Sequence, residues 1–397
     1  MHIEESLVQG KTYISNRMFS APSRRPAVGL EALGQGKSAT GLILFATAFL
    51  LALSVLMVFS TTALSSREHF GNETAFLNRH LSQMLVGLLV CVAMSRVPVD
   101  VLRKCAPAFL VASAIMLLLT LVPGIGSRAG GAVRWLSLGP LRFQPGEIAK
   151  LSIVLYMATF IGRHSDAMST FSKGIVTPLA ITAVFACLFL LQPDFGSTSI
   201  VLIVVFCQLL LASRFLHLSS VGVVAVCALG VLIAVSPYRL RRFETFLDPF
   251  RDPSATGYQL VQSLIAVGSG GIGGEGLGAG KQKLFYLPAA HTDFIFAVIA
   301  EELGFLGACG VIALFLLLGA GGFAVARKHL DDPFRASLAV GLTALLVVPA
   351  MLNIAVVSGM LPTKGLVLPL VAYGGTAMAV NLAVVGILLS LSRERPL

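Results

Sequence analysis

The sequence predicts an all-α integral membrane protein of about ten transmembrane helices, with a large external loop between the seventh and the eighth. Hydrophobic residues make up 56% of the 397 residues and charged residues only 12%, unlike the composition of soluble domains. Runs such as "GLILFATAFLLALSVLMVFS" are long and uncharged enough to cross a bilayer as helices. The composition therefore excludes a soluble multidomain protein, although the chain length alone would allow one.

The spans are predicted wherever an apolar run is long enough to cross the hydrocarbon core. They define a membrane domain over 41–392, preceded by a polar tail over 1–40 that we expect to be cytoplasmic and disordered. A short cytoplasmic C-terminus follows over 393–397. The predicted spans are residues 41–64, 81–97, 105–122, 145–162, 174–191, 196–212, 219–236, 296–325, 336–357 and 370–391.

Basic residues indicate both the orientation of the chain and a ligand. The formal net charge is +10, and most Lys and Arg residues lie in inner segments if both termini are cytoplasmic. The others concentrate in the loop 123–144 and in the segment 237–293, both on the outer side. Since the orientation does not require these residues, we expect an anionic ligand at the outer face and no nucleic acid.

The segment 237–293 is the longest stretch without a predicted span, and long loops are usually functional. Its run "RLRRFETFLDPFRDP" is basic and aromatic, which suits the membrane interface. The run "GSGGIGGEGLGAGKQK" lacks the G-x-x-x-x-G-K-[ST] pattern of a P-loop. No nucleotide site is indicated, and no organic cofactor is expected.

Several polar residues stand beside predicted spans. Glu147 and Lys150 lie three residues apart on one helix face, where a self-neutralising ion pair and an anion site are equally good interpretations. Asp194, in "LLQPDFGSTS", favours a turn and a helix cap. Lys364 and Tyr373 follow in "LPTKGLVLPLVAYGG", and a lone loop lysine is most often solvated.

The run "AAHTDFIFAVIAEELG" places His291 and Asp293 before a span and Glu301 and Glu302 within it. Capping of the helix is one interpretation of Asp293, and a functional carboxylate beside the basic loop is the other. Glu301 lies about 80° from Asp293 around the helix, so the two do not share a face. We expect Glu301 and Glu302 to brace this helix by pairing with cations on neighbouring helices.

The topology gathers several cations on the outer side together with Asp293. A cation-lined cavity with one carboxylate suits a diphosphate-bearing substrate and a general base. The cations are Arg134, Lys150, Lys281, Lys283 and Lys364.

Four motifs in order resemble the SEDS (shape, elongation, division and sporulation) family, the FtsW and RodA type peptidoglycan glycosyltransferases. They are "GAVRWLSLGPLRFQPGEIAK", "LQPDFGSTS", "GYQLVQSLIAVGSGGIGGEGLGAGKQKLFYLPAAHTDFIFAVIAEELG" and "LPTKGLVLPLVAYGG". The similarity covers essentially everything after residue 40. The "LPTKG" form and the long N-terminal tail resemble the division branch, FtsW, more than the elongation branch, RodA.

The resemblance implies ten transmembrane helices and polymerisation of lipid II during cell division, at the outer face of the bacterial cytoplasmic membrane. It implies that Asp293 is catalytic and that the Q-P-S-E-x-x-K element maps onto Glu147 and Lys150. It also implies a class B penicillin-binding protein, a transpeptidase, as partner, with other divisome proteins. Gly146 and Ala372 stand where the family usually has Ser, and Thr376 where Ser is common.

The implied mechanism is one inverting displacement. Asp293 takes the proton of the acceptor sugar hydroxyl while the lipid diphosphate leaves, stabilised by Arg134, Lys150, Lys281 or Lys283. A divalent cation, Mg²⁺ or Mn²⁺, is a candidate to bridge the phosphates, with no ligand residue assigned. His291, Tyr373, Asp194 and Glu301 are expected to support the site.

Two alternatives belong to other classes. A lipid II flippase would also need a cationic cavity, but it predicts polar groups along a path through both leaflets, and the inner halves of the spans are apolar. A non-catalytic division scaffold leaves Asp293 and Glu147 without a role. We rank the flippase second and the scaffold third.

Overall fold

The computed structural model describes most of the predicted membrane domain. Residues 1–35, most of the predicted span 219–236 and residues 395–397 lie outside the described residues, so the predictions made for them stay predictions. The described residues are 36–129, 132–138, 141–214, 218–220, 222–223, 230–231, 234–235, 240, 244–251, 257–284 and 287–394.

Helices dominate the described residues, as the hydropathy predicts. Short 3₁₀ turns lie at Ser165–Ala167 and Pro249–Arg251, and a π-helical turn at Ser172–Val176. The α-helices are α1 (Gly36–Phe70), α2 (Ala75–Met94), α3 (Val99–Leu121), α4 (Pro145–Arg163), α5 (Thr177–Leu191), α6 (Phe195–Ala212), α7 (Tyr258–Ser269), α8 (Ile295–Lys328), α9 (Pro333–Val357) and α10 (Gly375–Arg393).

The fold class is confirmed. Eight helical segments of the described residues are long and apolar enough to cross a membrane: α1, α2, α3, α5 with its preceding π turn, α6, α8, α9 and α10. The helix α4, on the predicted fourth span, carries Glu147 and Lys150 in its first turns. The helix α7 has only 12 residues and lies in the predicted external loop. The count of ten spans stays a prediction, because most of the seventh lies outside the described residues.

Several predicted boundaries are wrong by five or six residues. The helices α1, α2 and α3 begin at Gly36, Ala75 and Val99, not at residues 41, 81 and 105. The helix α1 extends to Phe70 rather than ending near residue 64. The last span was predicted from residue 370, but α10 begins at Gly375, because Leu370 has a φ of 63° and interrupts the helical backbone. Residues 358–374 instead form an irregular segment between α9 and α10, which we call the α9–α10 loop.

A small antiparallel sheet precedes α4 and was not predicted. Its strands are β1 (Gly126–Ala129), β2 (Ala132–Leu138) and β3 (Leu141–Phe143), in the order β1-β2-β3. The sequence has Gly-Gly at 130–131 and Gly-Pro at 139–140, between the strands, which is the usual chemistry of tight turns. The sheet holds Arg134, on β2, at the start of α4.

The core surrounds α9, whose residues are buried along most of their length. This helix packs against α4, α6 and α8. Buried polar side chains also join these helices. Gln208 of α6 donates to the carbonyl oxygens of Val154 (3.1 Å) and Ser337 (3.2 Å), in α4 and α9. Because the hydrocarbon offers no competing water, such bonds fix neighbouring helices.

The helix α8 is kinked at Gly304, where φ is 66°. The glycine-rich loop that follows α7 binds the exposed backbone of this kink. Glu275 N donates to the carbonyl oxygen of Glu301 (3.0 Å), and Phe305 N donates to that of Gly271 (2.8 Å). A Cβ added at Gly274 would lie 2.1 Å from the carbonyl oxygen of Glu302. Close backbone packing therefore explains Gly274, where a side chain would not fit.

Candidate active site

A cleft opens at the end of the bundle where α4, α6 and α10 begin. Its empty space, counted together with the open mouth, is about 640 Å³. Residues of β2, α4, α6, α9, α10 and the α9–α10 loop line it. The charged and amide-bearing side chains of the lining are those of Arg134, Gln144, Glu147, Lys150, Asp194 and Asn381.

Glu147 and Lys150 form the predicted pair on one face of α4. Lys150 Nζ lies 2.8 Å from Glu147 Oε1, and the two side chains are only 9% and 13% exposed. Pro145 occupies the first turn of the helix, where its missing N–H is not needed. Both members of the pair line the cleft, so the ammonium group is available to an anion there.

Arg134 and Asp194 face each other across the cleft wall. Asp194 caps α6 as predicted, because its Oδ1 accepts from Ser197 N (3.2 Å) and its Oδ2 from Ser197 Oγ (2.8 Å). Arg134 donates to the carbonyl oxygens of Gln192 (3.3 Å) and Pro193, and its Nε lies 3.9 Å from Asp194 Oδ2. The guanidinium group is thus positioned by backbone oxygens rather than by a close ion pair.

Asp293 lies at the rim of the cleft. A Cβ added at Gly365, a lining residue, would be 2.7 Å from Asp293 Oδ2. The helix α8 begins after Phe294 with no side-chain cap, so capping does not account for Asp293. Within the described part of the chain no cation lies within salt-bridge distance of its carboxylate. Burial raises the pKa of Asp293 to about 6, although Arg134 opposes this increase.

The sequence favours a solvated side chain for Lys364, but the structure places this side chain against α6. Its Nζ lies 3.2 Å from Ser199 Oγ and 4.1 Å from the centre of the Phe195 ring, both on α6. Burial lowers the pKa of Lys364 to about 8. The residue adjoins Gly365 and therefore places a third cation beside the cleft.

His291 and Tyr373 support the turn that carries Asp293. Tyr373 N donates to the carbonyl oxygen of His291 (3.0 Å), and the two rings lie 6.0 Å apart in an edge-on arrangement. Phe76 of α2 contacts both rings. These contacts join the α9–α10 loop to the start of α8.

The structure does not bring Lys281 and Lys283 to the lining of the cleft. The side chain of Lys281 is 76% exposed, and its Nζ lies 3.9 Å from Glu275 Oε1. Lys283 Nζ binds Glu302 Oε1 at 2.5 Å and Ser60 Oγ at 2.6 Å, and its side chain is 8% exposed. Their predicted role in substrate binding stays a prediction, without a contact that supports it.

Glu301 and Glu302 brace the kinked helix, but not with cations of neighbouring helices as predicted. Glu301 Oε1 accepts from the backbone N–H groups of Lys281 (2.7 Å) and Gln282 (3.1 Å). Glu302 Oε1 binds Lys283, which lies in the glycine-rich loop. The carboxylates therefore hold this loop against α8, and Glu302 Oε1 also accepts from Ser60 Oγ of α1 at 2.6 Å.

The sequence comparison decides the family. The family described as "Cell cycle protein", FtsW/RodA/SpoVE, matches residues 41–396. This chain belongs to the FtsW/RodA/SpoVE family. Its predicted resemblance is thereby confirmed over essentially the whole membrane domain.

The names of similar proteins agree with this family assignment. The chain is 43% identical to "Probable peptidoglycan glycosyltransferase FtsW" of Idiomarina loihiensis, covering 87% of this chain and 85% of the relative. It is 38% identical to the protein of the same name from a Geobacter species, covering 88% and 96%.

Two solved structures share the fold. A structure described as "Structural coordination of polymerization and crosslinking by a peptidoglycan synthase complex" matches with a TM-score of 0.73 and 33% identity, over 89% of this chain and 97% of that one. The crystal structure of the rod shape determining protein RodA of Thermus thermophilus matches with a TM-score of 0.65 and 28% identity, over 89% and 96%.

The departures from the FtsW/RodA/SpoVE pattern are accommodated locally. Thr376 keeps a hydroxyl function, because its Oγ1 accepts from Gln144 N at 3.2 Å. A Cβ added at Gly146 would lie 3.4 Å from the Phe189 ring, which is ordinary contact, so a serine would fit there. Ala372 is buried.

Two amide residues near the site were missed at the sequence level. Asn353 of α9 donates to the carbonyl oxygens of Asp293 (2.7 Å) and Leu366 (2.5 Å). It thereby joins the turn before α8 to the α9–α10 loop. Asn381 of α10 lines the cleft. Both stand alone in apolar runs, and an isolated amide inside a predicted span was the signal that would have identified them.

The described residues do not fit a preformed site for Mg²⁺ or Mn²⁺. They contain no group of three or more His, Cys, Asp or Glu side chains able to hold a metal ion. The lining carboxylates of Glu147 and Asp194 already bind Lys150 and the start of α6. The divalent cation stays a prediction, and no step below depends on it.

Proposed function

We propose that this protein is a peptidoglycan glycosyltransferase that polymerises lipid II, with Asp293 as its general base. The observation that carries this proposal is the Asp293 carboxylate, which has no cation within salt-bridge distance among the described residues. This carboxylate lies against Gly365 of a cleft lined by Arg134 and Lys150. Its pKa of about 6 suits a group that must be ionised yet accept a proton near neutral pH. The names of the FtsW relatives support the same activity.

The reaction is one inverting displacement at the anomeric carbon of the donor sugar. The acceptor hydroxyl gives its proton to Asp293 as its oxygen forms the new glycosidic bond. The bond between the anomeric carbon and the phosphate oxygen breaks, and the diphosphate leaves with the electron pair. The α-linked donor becomes a β-linked product, and one positioned carboxylate suffices because the diphosphate leaves without being protonated by a second carboxyl group.

The cations of the cleft stabilise the leaving diphosphate. Lys150 and Arg134 lie on separate elements and both line the cleft, and Lys364 is bound to α6 next to the lining residue Gly365. Fixed cations in a partly dry site stabilise developing charge more strongly than water does. Arg134 also acts electrostatically on Asp293, which keeps the base and the phosphate site within one reaction centre.

The proposed cellular setting is the bacterial cytoplasmic membrane, with both termini in the cytoplasm and the cleft on the outer face. The apolar helices and the family match support a multi-pass membrane protein. A class B penicillin-binding protein is the proposed transpeptidase partner, together with other divisome proteins. The related complex that coordinates polymerisation and crosslinking supports this pairing.

The test is polymerisation of labelled lipid II by the purified protein, co-purified with its transpeptidase. We expect Asp293→Ala to lose at least about 100-fold in rate, since general-base catalysis typically contributes this much. Asp166→Asn is the matched control, because Asp166 is an exposed carboxylate in a surface turn. It should polymerise at the wild-type rate.

Two outcomes would overturn the proposal. Asp293→Ala polymerising as fast as wild type would remove Asp293 from the mechanism. If wild type fails to polymerise while lipid II crosses reconstituted vesicles, the protein is a flippase.

A further inference from the structure

Four asparagine and glutamine side chains are buried in the described part of the bundle, and one of them differs from the rest. Gln192, Gln208 and Asn353 each donate to two or more oxygen atoms of neighbouring segments. Asn381 is 8% exposed and makes no hydrogen bond to any described residue. Its amide atoms are not among the enclosed polar atoms that lack a partner, so they reach the open cleft, where water or a ligand completes their hydrogen bonds.

Asn381 lines the same cleft as Lys150 and Arg134. The starts of α4 and α10 are joined by the hydrogen bond from Gln144 N to Thr376 Oγ1. Lys150 and Asn381 follow the helix starts, Pro145 and Gly375, by five and six residues. At about 1.5 Å per residue, both lie roughly 8–9 Å below that junction. The Asn381 amide therefore lies at about the same depth in the cleft as the Lys150 ammonium group.

The chemistry of this position favours an anionic ligand. A carboxamide offers two N–H donors, and the neighbouring cations select for negative charge. The amide N–H groups of Gln192, Gln208 and Asn353 are bound within the bundle, whereas those of Asn381 have no acceptor among the described residues and are free to bind whatever fills the cleft.

We propose that Asn381 is a substrate-binding residue whose amide N–H groups donate to the diphosphate held by Lys150 and Arg134. The identity of this anion rests on the proposed function. The position of the amide in the cleft does not.

The experiment measures the Kd for lipid II in nanodiscs, together with thermal unfolding, for wild type, Asn381→Leu and Asn381→Asp. We expect Asn381→Leu to bind about tenfold more weakly, since one hydrogen bond to a charged group is lost. Asn381→Asp should bind about 100-fold more weakly, because it adds a like charge. Asn381→Leu should unfold at or above the wild-type temperature, because no internal hydrogen bond is broken.

Asn353→Leu is the matched control, since it removes an amide that binds two carbonyl oxygens. It should lower the unfolding temperature. An unchanged Kd for Asn381→Leu would overturn the inference, as would destabilisation equal to that of Asn353→Leu. If wild type binds lipid II and Asn381→Leu binds it weakly while neither polymerises, the inference holds and the proposed function fails.

Discussion

The cleft and the opposite end of the bundle use charge in contrasting ways. At the opposite end, Arg335 is bound by three carboxylates, and we call Arg335, Asp100, Asp332 and Glu394 the clamp. Arg335 lies 2.7 Å from Glu394 and 3.2 Å from Asp100, and it also binds Asp332. Glu394 further accepts from Val99 N (3.2 Å), so the clamp ties α10 to the starts of α3 and α9.

The charges of the cleft are incompletely paired. Arg134 is 3.9 Å from its nearest carboxylate, Lys150 has one partner, and the Asp293 carboxylate has no cation partner among the described residues. This difference indicates separate roles for the charges of the clamp and those of the cleft. Saturated ion pairs specify how helix ends join, whereas unsaturated charges are costly unless a ligand completes them.

Arg335→Met tests the clamp and has the largest expected effect. It leaves the three carboxylates without their common cation, so the free energy of unfolding should fall by about 3 kcal/mol. The polymerisation rate per folded molecule should not change. Thermal unfolding and the rate, measured on the same preparation, check both expectations, and a variant as stable as wild type would show that the clamp is not structural.

Lys150→Met also replaces a cation by methionine, but in the cleft. We expect this variant to weaken substrate binding rather than the fold. We expect the KM for lipid II to rise about 10- to 100-fold, since a charge-assisted contact to the diphosphate is lost. Stability should fall by only about 1 kcal/mol, because Glu147 can be hydrated from the cleft. A large loss of stability with an unchanged KM would assign the Glu147–Lys150 pair to the fold alone.

Gly365→Ala tests whether the position of the Asp293 carboxylate matters for the reaction in the cleft. The added methyl group would lie 2.7 Å from Asp293 Oδ2, so the carboxylate has to move. We expect about a tenfold lower rate, because a displaced base loses alignment with the acceptor. Gly146→Ser is the control, since its Cβ would meet the Phe189 ring at 3.4 Å and Gln144 Nε2 at 4.0 Å, and both its rate and its stability should match wild type. Equal rates for both variants would argue against a tight packing of Gly365 on the base.

Local patterns predicted much of this structure. Hydropathy located most of the described helices, three-residue spacing joined Glu147 to Lys150, and the Pro-Asp turn identified Asp194 as a cap. Features that depend on distant segments were missed. Lys283 binds Glu302 rather than the cleft because the glycine-rich loop returns to the kink at Gly304, and neither the loop path nor the kink has a local signature. The partners of Asn353 likewise come from two other segments.

The pH dependence of kcat/KM for lipid II polymerisation tests the central claim most directly. Asp293 must be ionised to accept a proton, so the rate should rise with pH through about 6. Lys364 loses its charge as the pH rises above about 8, so the rate should fall there, and Lys364→Arg should remove only this alkaline decrease. A rate that stays constant as the pH passes through 6 would contradict Asp293 as the base.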